Sequence, residues 1–215
     1  MKKYFIASDV HSFYTPFITE LHKNGFNEKN EDHILVILGD LFDRGTETNE
    51  LYNFIVSIPK ERRILIRGNH EDLYKSLLYK EQPDSYDFSN GTVSTFCQIS
   101  NINKERLSLS YWYKLSAKGL LPYGDEFEKV DSTWCTIINK VKNSEVTKFI
   151  YDDSNWVNYL ETPNYIFVHS WIPTLQRITC YGRHIEELGY REDCRNATQT
   201  EWNDATWGCP WAKAK

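Results

Sequence analysis

The sequence predicts an α/β protein built on a parallel sheet, and three observations predict it. Short apolar runs rich in branched residues occupy positions 4–8, 34–38 and 63–67, the pattern of strands buried on both faces. Segments with apolar residues at helical spacing separate them, so strand and helix alternate. Each run also ends on polar chemistry. Asp9-Val10-His11 follows the first, Gly39-Asp40-Leu41-Phe42-Asp43-Arg44-Gly45 the second, and Gly68-Asn69-His70-Glu71 the third. Functional groups in such sheets gather just beyond the carboxyl ends of the strands.

After the first strand, Thr15-Pro16 reads as an N-cap followed by proline at the first helical position. Phe17, Ile18 and Leu21 then share a face, and Gly25 is the expected stop. A second helix is expected over 48–57, burying Leu51, Phe54 and Ile55 and closed by Pro59. A third is expected over 71–79, directly after the Asn-His pair. Residues 82–101 carry Pro83, Asp84, Ser85, Ser89, Asn90 and Gly91 and read as a loop or irregular connection. From 104 to 159 the patterns are mixed and mainly helical. Leu107, Tyr111 and Leu115 share one face, and Val130, Trp134, Ile137 and Ile138 another. Residues 82–160 therefore read as an insertion or lid over one side of the sheet, within a single domain spanning 1–215. Residues 165–168 restore a buried strand that ends at His169. Beyond 188 no element is assigned and no further strand is expected; Trp202, Trp207 and Trp211 are the candidate anchors.

Composition narrows the function classes. The chain has 215 residues and a net charge of −5, so no global basic field draws it to nucleic acid or an anionic membrane. Aromatic residues make up 15%, read first as a dense core and second as a ligand-contacting lid. No apolar run reaches the ~20 residues of a membrane span, and Asp9 interrupts the N-terminal apolar segment before a signal sequence is complete. The five cysteines contain no Cys-x-x-Cys pair, which favours reduced thiols in the cytoplasm over disulfides or a zinc cluster.

Three strand tips and His169 bring together oxygen and nitrogen donors suited to Mn, Fe or Zn, and less obviously to Ca or Mg. A carboxylate between two cations can bridge them at ~3.5–4 Å. Asp40 is the bridging candidate, with Asp9 and His11 on one side and Asn69 and His169 on the other. The neutral amide of Asn69 supplies a donor without adding negative charge. Asp-x-His or Asn-His alone would mean little; the two longer motifs in register are specific.

Together these motifs resemble those of the calcineurin-like metallophosphoesterases, in the branch of serine/threonine phosphoprotein phosphatases that includes bacteriophage lambda-type enzymes and bacterial relatives cleaving bis-nucleoside tetraphosphates. Val168-His169 resembles the fourth motif, so the likeness covers roughly residues 3–80 and 163–172. It implies a double β-sandwich flanked by helices, with two divalent metal ions at one edge, manganese favoured over iron, zinc or magnesium. By the resemblance Asp9 and His11 bind one ion, Asp40 bridges, and Asn69 and His169 bind the other. Arg44 would hold the substrate phosphate, and His70 would protonate the leaving oxygen, oriented by Asp43. Direct in-line hydrolysis without a phosphorylated residue is implied.

Two departures from the family pattern are expected to matter. Nothing matches the C-terminal Gly-His motif, so the second sheet is expected to be incomplete, with His184 only a weak substitute. A second phosphate-binding arginine is also unmatched; Trp207-Gly208-Cys209-Pro210 falls in that region, and Arg177, Arg183, Arg191 and Arg195 are the remaining candidates. Trp171, after His169-Ser170, either narrows the site, stacks on a base or fills the core. The expected function is hydrolysis of phosphomonoesters, on a phosphoprotein or a small molecule. The alternatives are cleavage of dinucleoside polyphosphates and a truncated, non-catalytic metal-binding homologue. The partner expected is a phosphorylated substrate, with no nucleic acid or membrane; oligomeric state is open.

Overall fold

The computed structural model describes residues 1–107, 125–179 and 186–208. Four strands, β1 (Lys3–Ala7), β2 (His33–Leu38), β3 (Arg63–Ile66) and β4 (Trp156–Val157), form one parallel sheet in that order. Phe5, Leu35, Ile37, Leu65 and Trp156 alternate onto the face that joins the main core. Ile34, Val36 and Ile66 point the other way and are buried as well. The central strands are thus covered on both faces, which is why their sequences are continuously apolar rather than alternating. The α/β class is borne out.

Helices α1 (Tyr14–Lys23), α2 (Thr48–Ser57) and α3 (Asn69–Leu77) follow β1, β2 and β3 in turn. Helix α2 has the expected bounds and buries Leu51, Phe54 and Ile55. Helix α1 starts earlier than Thr15 suggests, because Thr15 turns its N–H and hydroxyl to the Glu47 carboxylate instead of capping. Pro16 then lies within the first turn, where a missing N–H does no harm. Helix α3 also starts earlier, at Asn69. The Glu71 carboxylate accepts the Gly68 N–H at 2.7 Å, which closes the first turn around Asn69 and His70.

Residues 82–101 are not the loop their polar composition suggests. They form α4 (Ser85–Asn90) and α5 (Thr92–Ser100). Asp84 accepts from Tyr86 N and Asp87 N while Asp87 accepts from Asp84 N, a reciprocal cap. Helix α5 buries Val93, Phe96 and Cys97 at helical spacing, and its two inward threonines disguise that face. Helix α6 (Asp125–Lys142) lays Trp134 on Phe96 with rings 9° from parallel and buries Ile137, Ile138 and Val141. Helix α7 (Glu145–Tyr151) follows, capped by Ser144. Leu107 is buried as expected; Tyr111, Leu115 and the Val130 side chain lie outside the described residues.

The fourth parallel strand is β4, inside the stretch read as an insertion. Residues 165–168 instead contribute β6 (Ile166–Phe167), paired antiparallel with β5 (Leu160–Glu161). Tyr165 is 67% exposed, so this run is a surface ribbon whose aromatic residues imitate a buried strand. Two further strands, β7 (Leu175–Thr179) and β8 (Glu186–Tyr190), pair antiparallel, and α8 (Gln199–Trp207) follows. The expectation of no strand after 188 is thereby corrected in part. Among the described residues the antiparallel layer consists of these two ribbons. Trp202 anchors α8 by stacking on Tyr159 at 5.0 Å, Trp207 is 48% exposed, and Trp211 lies outside the described residues. No described helix is long and apolar enough to cross a membrane. Cys97, Cys135 and Cys194 are free thiols.

Arg191, just after β8, grips both oxygens of Glu201 on α8 at 2.6 and 2.7 Å. With the Thr198 bonds this holds the Glu201 carboxyl down to about 2. A depressed carboxyl stabilises the fold above its unfolded pKa of 4.5 and loses that contribution as pH falls toward about 2. Glu201→Gln should therefore lower Tm at neutral pH, and the gap to wild type should shrink steadily below pH 4.5 in a melting series.

Candidate metal centre

The loops after β1 and β2 are bonded to each other through their backbones. His11 N donates to Asp40 O at 3.0 Å, Ser12 N to Leu41 O at 3.0 Å, and Gly45 N to His11 O at 2.8 Å. Asp9, His11, Ser12, Asp40, Asp43 and Arg44 all have positive φ, a left-handed backbone that L-residues adopt at a cost on the order of 1 kcal/mol each. Clustered left-handed residues mark turns held open for function. The third tip closes on them closely. A Cβ on Gly68 would stand 2.2 Å from Asp40 Oδ1 and 2.3 Å from Asp40 N, so only glycine lets β3 deliver Asn69 here.

The structure brings all the sequence-predicted site residues to one place. Donor atoms of His11, Asp40 and His70 lie within 4.8 Å of one another, and so do those of Asp9, Asp40 and His169. Asp40 belongs to both sets, as a bridge requires. Its Oδ2 is 3.6 Å from His11 Nε2 and its Oδ1 3.4 Å from His169 Nε2. Ligands ~2.1 Å from one first-row ion stand about 3–4.2 Å apart, so the spacing fits. Asp9 groups with His169, whereas the resemblance paired it with His11; its Oδ1 is 3.9 Å from His11 Nε2.

The protonation pattern fits cations better than it fits the residues alone. His11 Nδ1 is 2.9 Å from the Phe42 carbonyl, which can only accept, so the proton is on Nδ1 and the lone pair on Nε2. That Nε2 is buried without a hydrogen-bond partner. Burial lowers the His11 pKa and keeps the ring neutral against the opposing pull of the Phe42 bond. His169 repeats the arrangement. Its Nδ1 is 2.8 Å from Leu38 O, and its Nε2 faces Asn69 Oδ1 at 3.0 Å. Lone pairs thus converge on shared space, which a divalent ion satisfies.

Glu71, quoted within its motif but given no role by sequence, supports the centre from below. It is 2% exposed and accepts from Asp40 N, Leu41 N and Gly68 N at 3.2, 2.9 and 2.7 Å. Burial, then the charge of Asp40, pushes its carboxyl up to about 7. Two neighbouring buried acids are a further reason for cations here.

Beside this set lies a proton-donor arrangement. His70 Nδ1 is 2.8 Å from Asp43 Oδ2, and its Nε2 lies 3.2 Å from Arg44 Nη2. Burial alone would lower the His70 pKa, but the Asp43 bond and the charges of Asp40 and Asp43 outweigh it and the net shift is upward. Arg44 is exposed, and the two acids nearest it in sequence are engaged elsewhere: Glu47 bonds Thr15, and Asp43 bonds His70.

A family model described as calcineurin-like phosphoesterase matches residues 2–210. The chain belongs to that family. Curated relatives carry related names. A symmetrical bis(5'-nucleosyl)-tetraphosphatase of Buchnera aphidicola (subsp. Acyrthosiphon pisum) is 39% identical over 71 residues, 33% of this chain and 24% of the relative. The asymmetrical bis(5'-nucleosyl)-tetraphosphatase PrpE of Bacillus subtilis is 29% identical over 110 residues, 47% and 43% of the two chains. Its counterpart in Bacillus velezensis is 34% identical over 82 residues, 34% and 33%. The chain thus spans between a quarter and under half the length of these relatives. Membership of the calcineurin-like phosphoesterase family, which the strand-end motifs resemble, is borne out.

Of the arginines considered as a second phosphate ligand, Arg191 is committed to Glu201 and Arg195 to Glu161 and Asp193. Arg183 and His184 lie outside the described residues, as does the Arg177 side chain. Trp171 is 38% exposed and so is not the core residue of one reading.

Saturating divalent cation should raise Tm, by about 2–3 kcal/mol of stability at roughly a hundred times Kd. Asp40→Asn should abolish that response while leaving the metal-free protein as stable or more so, since its charge no longer faces Glu71. Differential scanning calorimetry with and without Mn²⁺ or Zn²⁺ checks both halves.

Proposed function

We propose that this protein is a metal-dependent phosphoesterase acting on phosphomonoesters, with manganese its working ion and the cytoplasm its site of action. One observation carries the reading: a buried, carboxylate-held His70 stands beside exposed Arg44 and the Asp40-centred donor set. Two divalent cations, when bound by Asp9, His11, Asp40, Asn69 and His169, would supply Lewis acidity and a water of lowered pKa. The chain's own residues do the rest. Arg44 turns from His70 to the phosphate oxygens, for which its planar fork is suited. That movement frees His70 Nε2, which accepts from Arg44 in the resting arrangement, to take up a proton and face the leaving oxygen; the Asp43 bond and the charges of Asp40 and Asp43 favour the protonated ring. Asp43 fixes the ring and compensates its positive charge.

Dinucleoside polyphosphates are the second reading. It is favoured by the names of the relatives and by Phe13 and Trp171, both partly exposed and each two residues from a candidate ligand. A nucleobase would need such a stacking surface.

With Mn²⁺ present, the wild type should hydrolyse a generic aryl phosphate, and His70→Gln should lower kcat on the order of 10²–10⁴-fold with KM little changed. Running a bis-nucleoside tetraphosphate alongside decides between the readings by kcat/KM. Failure of the wild type on both, with protein folded and metal bound, would sink the enzymatic reading in favour of a non-catalytic homologue.

A further inference from the structure

Helix α5 reaches the site through two hydroxyls. Thr95 Oγ1 donates to Asp43 Oδ1 at 2.7 Å and Thr92 Oγ1 to Asp43 Oδ2 at 2.8 Å. Both threonines are buried, at 0% and 1% exposure. Asp43 Oδ2 is shared between Thr92 and His70 Nδ1. The carboxylate is therefore held at both oxygens, and its rotation about the Cβ–Cγ bond is fixed. The backbone supports this. Gly91, at φ +88, joins α4 to α5, and a Cβ there would stand 2.3 Å from Arg44 N, so the start of α5 rests directly on the Asp43-Arg44 turn. Gln98, on the next turn, donates to Gly45 O at 2.9 Å and accepts from Thr48 N at 3.0 Å.

We propose that Thr92 and Thr95 are positioning residues for proton transfer: through Asp43 they fix the direction in which His70 Nε2 points. The inference rests on the phosphoesterase reading, since it presumes that His70 serves as the proton donor. Two hydroxyls donating to one buried carboxylate would also satisfy a purely structural need, and the two roles differ in a measurable way. A structural loss slows every substrate alike. A misdirected proton donor matters most where the leaving oxygen is basic and least where it departs readily unprotonated.

The test uses the double variant Thr92→Val/Thr95→Val, nearly isosteric but without hydroxyls, with Thr95→Ser as the conservative variant. Thr147→Val is the control, since it removes a buried hydroxyl that bonds Tyr74 and Val141 O rather than Asp43. With Mn²⁺, kcat is measured on p-nitrophenyl, phenyl and alkyl phosphates. The double variant should lose little on the p-nitrophenyl ester and on the order of tenfold or more on the alkyl ester, at unchanged KM, as part of the 10²–10⁴ range of acid catalysis. Thr95→Ser should retain wild-type dependence on the leaving group, and Thr147→Val should lose stability without changing that dependence. In metal-free protein, the low-field proton resonance of His70 Nδ1–H should move or broaden in the double variant and stay in place in Thr147→Val. Equal losses across leaving groups, or an unmoved resonance, would overturn the proposal. If the double variant does not fold, Thr92→Val alone, which keeps Thr95 on Asp43, gives the same two readouts. A wild type inactive on all three esters counts against the phosphoesterase reading, whereas an active wild type with leaving-group-independent variants overturns this inference alone.

Discussion

Two left-handed turns bonded back to back hold the site. The loops after β1 and β2 exchange three backbone hydrogen bonds between residues 11–12 and 40–45. These bonds let six side-chain-bearing residues keep positive φ, a conformation no isolated loop would hold. The geometry of Asp9, His11, Asp40, Asp43 and Arg44 follows from that pairing. A left-handed residue turns its side chain and its carbonyl to unusual sides, so short segments can offer donors to the centre while their backbones bond each other. Glu71 completes the arrangement from a third element, with a single carboxylate accepting three N–H groups at the meeting of two strand ends.

Charge sets the second condition. Asp40 and Glu71 are both buried acids, and the nitrogens of His11 and His169 nearest Asp40 present lone pairs rather than protons. Backbone N–H groups meet part of this demand, but the ring nitrogens facing Asp40 offer it no proton. Such a concentration of acceptors is unfavourable alone and favourable around cations. The proton-donor side is built in the opposite sense. Asp43 is buried too, but two hydroxyls and an imidazole N–H satisfy it, so it needs no ion. Proximate carboxylates are thereby given different tasks by the donors around them.

Much of this was legible in the sequence. Buried parallel strands announce themselves as unbroken apolar runs, and the polar motifs at their ends identify Asp9, His11, Asp40, Asn69 and His70; His169 is legible only through the likeness of Val168-His169 to the fourth motif. What was hidden had separate causes. The turn-forming residues Pro83, Asp84, Ser85, Ser89, Asn90 and Gly91 read as a loop across 82–101, and the inward threonines of 92–100, whose buried partner is a carboxylate, weaken the apolar face that would have marked α5. The run at 165–168 failed in the opposite direction, since its aromatic residues cluster on the surface ribbon of β5 and β6. Helix starts moved where capping groups were recruited elsewhere, as Thr15 was by Glu47. The threonines of α5 left one trace, their spacing of three after a glycine, which places both hydroxyls on one helical face.

The separation of the ligands along the chain bears on how the protein folds. His169 bonds Leu38, 131 residues away, and faces Asn69 across 100 residues, while His11 meets Phe42 across 31. Loop-closure entropy rises with separation, and contacts of long range form late. Asp9, His11 and Asp40 come from the first 45 residues, where β1 and β2 pair, whereas His169 reaches Asp40 only with the chain beyond β4 in place. Closing the donor set around Asp40 thus needs contacts that span most of the chain, and an ion bound there would favour the complete tertiary structure over any partial one.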